Sequence, residues 1–348
     1  MEKAYLYPIS NRLKTGVTNP YVDDFIRSMN ENVVISNKKY PSNAGILNIL
    51  KFYWSIDYIF LNWIEDLPDK KLGKIQTYIF LFIVRLSKLL GKKIVWTLHN
   101  NLSHYKTNIR LKKKIFNHLI KNSDYILTHS SEGVNVVKNI DESKLNRVIV
   151  LHHPVKPKVI DKEKAKHVYD ILIWGTISPY KAVDKFLNYY HGDENLKKLK
   201  VCIAGKILSK DYENKVDPLV KGNITLINKF LTLDELEQLF LQSKYVLFTY
   251  KSKSVISSGA LMDSLAYRNV VIGPNVGAFA DLSEEKLVYT YEEYNEIATI
   301  IEKAGAENTS KKLEEFLKDN TWKKFSENLW MKIKKLENEI CNCNTRQK

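Results

Sequence analysis

Ile171-Leu172-Ile173-Trp174-Gly175-Thr176-Ile177-Ser178-Pro179-Tyr180-Lys181 joins an apolar run to a glycine and then to a lysine. The run predicts a buried strand, and Val183 to Tyr190 behind it carries the spacing of a helix. A glycine directly after a strand lets the backbone approach a ligand closely. A lysine at the mouth of the next helix can meet a phosphate. The segment is not a P-loop, because no Gly-Lys-Ser/Thr follows, and G-x-G-x-x-G is missing as well.

The arrangement recurs about eighty residues later. A strand over Tyr245 to Tyr250 leads into Lys251-Ser252-Lys253-Ser254-Val255-Ile256-Ser257-Ser258-Gly259, and Gly259 to Ala266 predicts a helix. The free N–H groups of that helix start form an anion site. Ser257, Ser258 and either Lys251 or Lys253 add donors. The plain alternative is an ordinary capped helix. Val270-Val271-Ile272 then predicts a strand, with Gly277 in the loop behind it.

Strands and helices alternate on both sides of these segments. In the first half the strands are Ala4 to Ile9, Val33 to Ser36, Tyr58 to Asn62, Ile94 to Leu98, Tyr125 to Thr128 and Arg147 to Leu151. Helices are expected at Tyr21 to Met29, 75–90 and 109–121. The second half adds strands at Lys200 to Ala204 and Ile224 to Ile227, and a helix at Leu233 to Leu241 opened by the Thr232-x-x-Glu235 capping box. Near-continuous apolar strands alternating with helices signal parallel sheets covered on both faces. The expected fold class is α/β, with two doubly wound, Rossmann-like domains. The domains are read as 1–155 and 169–325, with a Pro-bearing linker over 156–168. Residues 326–348 form a lysine-rich helix and tail with the option of packing back on the first domain.

The 348 residues suffice for two such cores. They are 44% hydrophobic and 27% charged, which excludes a disordered or collagen-like chain. Three cysteines are too few for a disulfide framework and suit a reducing compartment. No segment has the apolar length of a membrane span, and Met1-Glu2-Lys3 has no signal-peptide layout. The expectation is a cytoplasmic protein.

The net charge of +15 is uneven. Residues 1–155 hold 23 Lys+Arg against 12 Asp+Glu (+11), and residues 156–348 hold 31 against 27 (+4). A basic half suggests an anionic partner. Ile75 to Lys93 and Ile109 to Lys121, the latter with Lys112, Lys113 and Lys114, read either as core-facing helices or as basic amphipathic helices in a headgroup layer. The second choice makes an anionic membrane surface a partner of the N-terminal half, on the inner face of the cell membrane. Nucleic acid is not expected, because the aromatics lie mostly in apolar strands and helices rather than on a basic stripe.

The order Gly175…Lys181, Ser257-Ser258-Gly259 and Val270-Val271-Ile272…Gly277 resembles the C-terminal half of the group 1 glycosyltransferases, which have the two-domain GT-B fold facing a cleft. Asp263-Ser264-Leu265-Ala266 stands where the family carries Glu-Ala-x-Ala. Thr176 replaces its phosphate-binding arginine, and Val255 replaces the first glutamate of its E-x7-E pattern. The resemblance implies transfer of a hexosyl group from a nucleotide-diphosphate sugar to a lipid-linked or oligosaccharide acceptor in surface polysaccharide or capsule biosynthesis. The donor is a co-substrate; no cofactor and no metal are expected, and no Asp-x-Asp motif is present. The implied donor site takes Gly175, Thr176, Lys181, Tyr250, Ser257, Ser258, Gly259 and Asp263, with Asn228, Lys229 and Phe230 framing the nucleobase.

In the first half, Asn19-Pro20-Tyr21 stands where such enzymes carry an acceptor-facing loop, and His99-Asn100…His104 resembles their His-Asn pair followed by a second His. A His at the carboxyl end of a buried strand points into the ligand crevice; a structural histidine is the alternative. Glu65, behind Leu61-Asn62-Trp63, competes with His99 as acceptor base or sugar-orienting group. A sugar-nucleotide 2-epimerase of the same fold is the runner-up.

Overall fold

The computed structural model describes residues 1–9, 20–42, 44–100, 107–160, 166–250, 256–304 and 310–346. Asn19, His104, Lys251, Lys253 and Val255 lie outside them. The chain divides into two compact units, Met1–Pro154 with Asn320–Lys348, and Val155–Asp319.

The first unit is built on β1 (Lys3–Tyr7), β2 (Val34–Ile35), β3 (Tyr58–Asn62), β4 (Lys93–Leu98), β5 (Tyr125–Thr128) and β6 (Val148–Val150). They pair in parallel in the order β2-β1-β3-β4-β5-β6. β3 is buried at every position, as a strand covered on both faces must be. On one face α1 (Pro20–Met29) and the C-terminal helix α12 (Trp322–Arg346) share a core with the sheet, formed by Phe25, Phe60, Val95, Phe325, Leu329 and Ile333 among others. Phe325, Leu329 and Ile333 recur every fourth residue, so one face of α12 is apolar and must be buried. Lys334 Nζ ties it down by donating to Glu2 Oε1 (2.8 Å) and to the Tyr58 hydroxyl (2.7 Å). The expected second domain ran to residue 325, but Trp322 and Phe325 already belong to the first unit. On the opposite face lie α2 (Gly73–Leu89) and α3 (Ile109–Asn122), with Phe116 edge-on to Trp96 at 5.1 Å. α4 (Ser131–Asp141) follows β5.

The second unit holds β7 (Tyr169–Trp174), β8 (Val201–Ala204), β9 (Ile224–Ile227), β10 (Ser243–Leu247), β11 (Val270–Pro274) and β12 (Tyr289–Tyr291), all parallel, in the order β12-β11-β10-β7-β8-β9. Its helices are α5 (Val183–Gly192), α6 (Lys210–Val216), α7 (Leu233–Leu241), α8 (Gly259–Ala266), α9 (Gly277–Glu284), α10 (Ile297–Ala304) and α11 (Ser310–Asp319). Leu172, Cys202 and Val271 enter one core, and Ile171, Ile173, Val201 and Ile272 the other, which is the period-2 alternation of strands between two layers. The capping box closes at α7: Glu235 N donates to Thr232 Oγ1 (3.2 Å) and Thr232 N to Glu235 Oε2 (2.9 Å). Residues 156–160, read as linker, are laid on this unit. Val155 is in its core and Arg268 Nη1 donates to the Lys158 carbonyl at 2.7 Å.

Candidate functional site

In the second unit the strand order reverses between β7 and β10. Doubly wound sheets bind ligands at that switch point, beyond the carboxyl ends of the strands. Gly175 follows β7, and Tyr250 with Ser257 and Ser258 follows β10. The two segments singled out in the sequence, far apart along the chain, therefore meet. Tyr180 stacks on Tyr250 (4.9 Å, 29°). Thr249 Oγ1 donates to the Lys181 carbonyl (2.5 Å), and Trp174 Nε1 donates to Ser264 Oγ (3.0 Å).

Lys181 is the centre of this arrangement. Gly175 has φ +89°, and a Cβ there would lie 2.8 Å from the Lys181 Nζ, so the turn wraps the ammonium. Gly205, at φ +149°, backs it: a Cβ at Gly205 would lie 2.0 Å from the Gly175 carbonyl oxygen. The Trp174 carbonyl accepts one of the three ammonium protons. Burial lowers the Lys181 pKa from 10.5 to about 8, so near pH 7 most molecules keep the charge. A desolvated cation held in a glycine turn is a candidate anion site. Ser258 caps α8 by accepting from Leu261 N at 3.3 Å.

The other expected donor residues are placed as follows. Thr176 and Asp263 are exposed, and Ser257 and Gly259 are half-buried. Phe230 is 70% exposed, which suits a stacking platform. Lys229 is paired with Glu235 at 2.5 Å. Asn228 makes one bond on each side of its amide. Its Oδ1 accepts from Ile207 N (2.9 Å) and its Nδ2 donates to Glu213 Oε1 (2.7 Å), so it fixes the loop behind β8.

In the first unit His99 directly follows β4 and is 6% exposed. Its ring stacks on Trp63 (4.1 Å, 10°) and meets Tyr21 edge-on at 4.9 Å. Asn62 Oδ1 lies 3.0 Å from Nε2. That oxygen only accepts, so Nε2 carries the proton and Nδ1 is the basic nitrogen. Trp63 adopts φ +47°, the left-handed region that bulky residues rarely enter, and so reaches the imidazole. His129 and His153 complete the group, 5.2 Å apart. His129 Nδ1 donates to the Leu151 carbonyl (2.9 Å), and its Nε2 accepts from the Tyr21 hydroxyl (3.2 Å). Burial, then His129 and His153, hold the His99 pKa well below 6.5. Burial also brings His129 to about 3 and His153 to about 4. The cluster is neutral at physiological pH. Asn100 is half-buried next to it.

Glu65 does not join this group. It lies with Trp96 and Lys112 on the α2/α3 side of the sheet, whereas His99 and Tyr21 lie on the α1/α12 side. Its carboxyl is pushed up to about 7, by burial first, and Oε2 has no hydrogen-bond partner among the described residues. Its competition with His99 for one acceptor site is thereby removed. Lys112 is also corrected. It is fully buried, and its Nζ pairs with Asp69 and with Asp66 Oδ1 (3.4 Å), so it is not a headgroup contact. Sequence reasoning missed His129, His153 and Trp322, and had Trp63 only as the end of the Leu61-Asn62-Trp63 stretch. His129 was within reach, since it follows β5 as His99 follows β4.

No protein-family model matches the chain, and no curated protein matches it in sequence. Solved structures do match. HepE of Anabaena in complex with UDP-glucose superposes with a TM-score of 0.59 at 13% identity, covering 99% of this chain and 100% of that one. A trehalose-6-phosphate synthase studied for glycosyl transfer with retention gives 0.62 at 12% identity, covering 96% and 99%. AviGT4, a glycosyltransferase involved in avilamycin A biosynthesis, gives 0.58 at 11% identity, covering 97% and 98%. The chain has the two-domain α/β architecture of the GT-B fold. Of these three, AviGT4 is described as a glycosyltransferase, the trehalose-6-phosphate synthase was studied for glycosyl transfer, and HepE holds UDP-glucose.

Proposed function

We propose that the protein is a hexosyl-type glycosyltransferase that takes its sugar from a nucleotide-diphosphate donor held by the second unit. The observation that carries this is Lys181, a buried ammonium wrapped by the Gly175 turn beside the N-terminus of α8 at the switch point. As the sugar leaves C1, the diphosphate gains negative charge. Lys181, the Ser257 and Ser258 hydroxyls and the Gly259 N–H are the donors that meet it. Their positions are fixed beforehand by Trp174, Thr249 and the α8 cap, so little reorganisation accompanies the step. This route leaves the diphosphate's charge to the protein's own donors. Asp263 on α8 is the candidate for a ribose hydroxyl and Phe230 for the base. HepE is known with UDP and UDP-glucose bound, which makes uridine donors the first to test.

His99, neutral and stacked on Trp63, is suited to orient a sugar hydroxyl. A base role is disfavoured, since its imidazolium would be desolvated and beside two other histidines. With Tyr21 and Asn100 it would line the acceptor side. We read the acceptor as a lipid-linked or oligosaccharide chain of a surface polysaccharide, met at the inner membrane face.

The test is a thermal-shift panel with UDP, UDP-glucose, UDP-N-acetylglucosamine and GDP-mannose, since a ligand that binds only the folded state raises its stability. A uridine ligand should raise Tm in wild type and not in Lys181→Ala. No shift with any nucleotide-diphosphate sugar would remove the reading. Acceptor-free conversion of a UDP-sugar to its C2 epimer, with no net UDP release, would favour the epimerase instead.

A further inference from the structure

Leu72, Ile75, Tyr78, Phe82, Leu89 and Leu90 are large apolar residues left in solvent on and around α2, from 46% exposed at Leu90 to 84% at Leu89. At about 100° per residue, Ile75, Tyr78, Phe82 and Leu89 fall within an arc of about 60°. They form one stripe, opposite the Phe80, Ile83 and Val84 face that packs on the sheet. Helix α2 thus has two apolar faces, of which one is buried and the other exposed. Exposed apolar patches of this extent mark interaction surfaces.

The charge around the stripe says what covers it. No Asp or Glu occurs between Lys71 and Ser123, while this span holds twelve Lys and Arg. α2 packs against α3. On α3, Arg110, Lys113, Lys114 and Lys121 are exposed, while Ile115, Phe116, Leu119 and Ile120 are buried. Lys114 Nζ sits 4.7 Å over the Tyr78 ring, which brings the basic row against the apolar stripe. Among the described residues no helix is long and apolar enough to cross a membrane. A helix that exposes an apolar stripe flanked by cations lies in the plane of a headgroup layer.

We propose that the α2/α3 face is a docking surface for an anionic bilayer, with Ile75, Phe82 and Leu89 entering the acyl boundary and the α3 lysines meeting lipid phosphates. A second copy of the chain fits less well. In a twofold dimer the same patch meets itself, which would bring two basic rows together with no Asp or Glu from 71–123 to pair with them. The proposal deepens the membrane location read above, yet it stands on α2 and α3 alone and does not depend on the donor site.

The test is co-sedimentation with phosphatidylcholine vesicles, with and without phosphatidylglycerol, at low and high salt. Wild type should bind the anionic vesicles at least tenfold more tightly, and salt should weaken that binding. Arg110→Gln/Lys113→Gln/Lys114→Gln, with Lys112 kept, should weaken it by up to about a hundredfold, roughly fivefold per charge. Ile75→Ser/Phe82→Ser should lose it even at low salt. The Tm rise given by UDP should persist in both variants, so a failed docking surface is distinguishable from a failed donor site. The proposal is overturned if wild type ignores anionic vesicles, or if Ile75→Ser/Phe82→Ser binds them as wild type does. It is also overturned if sedimentation velocity shows a dimer that Phe82→Ser dissociates, since a second copy then covers the face.

Discussion

Lys181→Met separates a lysine that binds an anion from one that holds the fold together. Methionine keeps most of the stem packing and removes the ammonium. Burial lowers the Lys181 pKa from 10.5 to about 8, equivalent to about 3 kcal/mol of destabilisation while the group stays charged. Losing the hydrogen bond to the Trp174 carbonyl takes back about 1 kcal/mol. The variant should therefore be more stable than wild type by about 1–2 kcal/mol at pH 7, seen as a Tm raised by a few degrees. The folded value lies below the unfolded one, so between pH 8 and 10.5 the unfolded chain holds more proton. Lys181→Met should therefore lose its stability advantage over wild type through that window. Binding of UDP should fall at least tenfold, because a charge-assisted contact contributes about 1.5–3 kcal/mol. Urea unfolding at pH 7 and pH 10, with a UDP titration alongside, reads all three quantities. A variant that is less stable at pH 7 and binds UDP as wild type does would refute the reasoning and make Lys181 a strut for the Gly175 turn.

Lys112→Ala should destabilise by about 3 kcal/mol, because it leaves Asp66 and Asp69 without their buried partner, whereas Lys113→Ala should be neutral within about 0.5 kcal/mol; chemical denaturation compares them. Glu65 is raised from 4.5 to about 7, so the folded state keeps its proton longer than the unfolded chain does. The buried histidines titrate alike in both proteins, so the stability of wild type relative to Glu65→Gln should fall as pH rises from 4.5 to 7, leaving the variant up to about 3 kcal/mol more stable at pH 8; equal pH profiles would mean that Glu65 is solvated. His99→Ala should lose about tenfold in kcat/KM, mostly through acceptor KM, with UDP binding kept. A loss of about 10² to 10⁴ in kcat alone would instead make His99 the base.

Periodicity and composition carried the element types. The apolar runs at Tyr58 to Asn62 and Ile171 to Trp174 are strands because nothing but a two-faced core accepts such runs. The capping box at Thr232 fixed the start of α7 because its two bonds span only three residues. The Gly175 and Ser258 segments were legible as strand-to-helix loops for the same local reason. Their meeting was not, because it depends on β10 inserting beside β7, a pairing between residues more than seventy positions apart. Lys112 and Lys113 are neighbours in a row of like charges, and only the position of α3 against Asp66 and Asp69 buries the first and exposes the second. Glu65 and His99 each follow a strand of one sheet, yet the left-handed Trp63 breaks the strand parity between β3 and Glu65. Which face Glu65 takes is set by the packing of Trp96 and α3. The exposed stripe of α2 follows the same logic. Its sequence is apolar nearly all round, and the sheet, being one surface, could bury only one side of it.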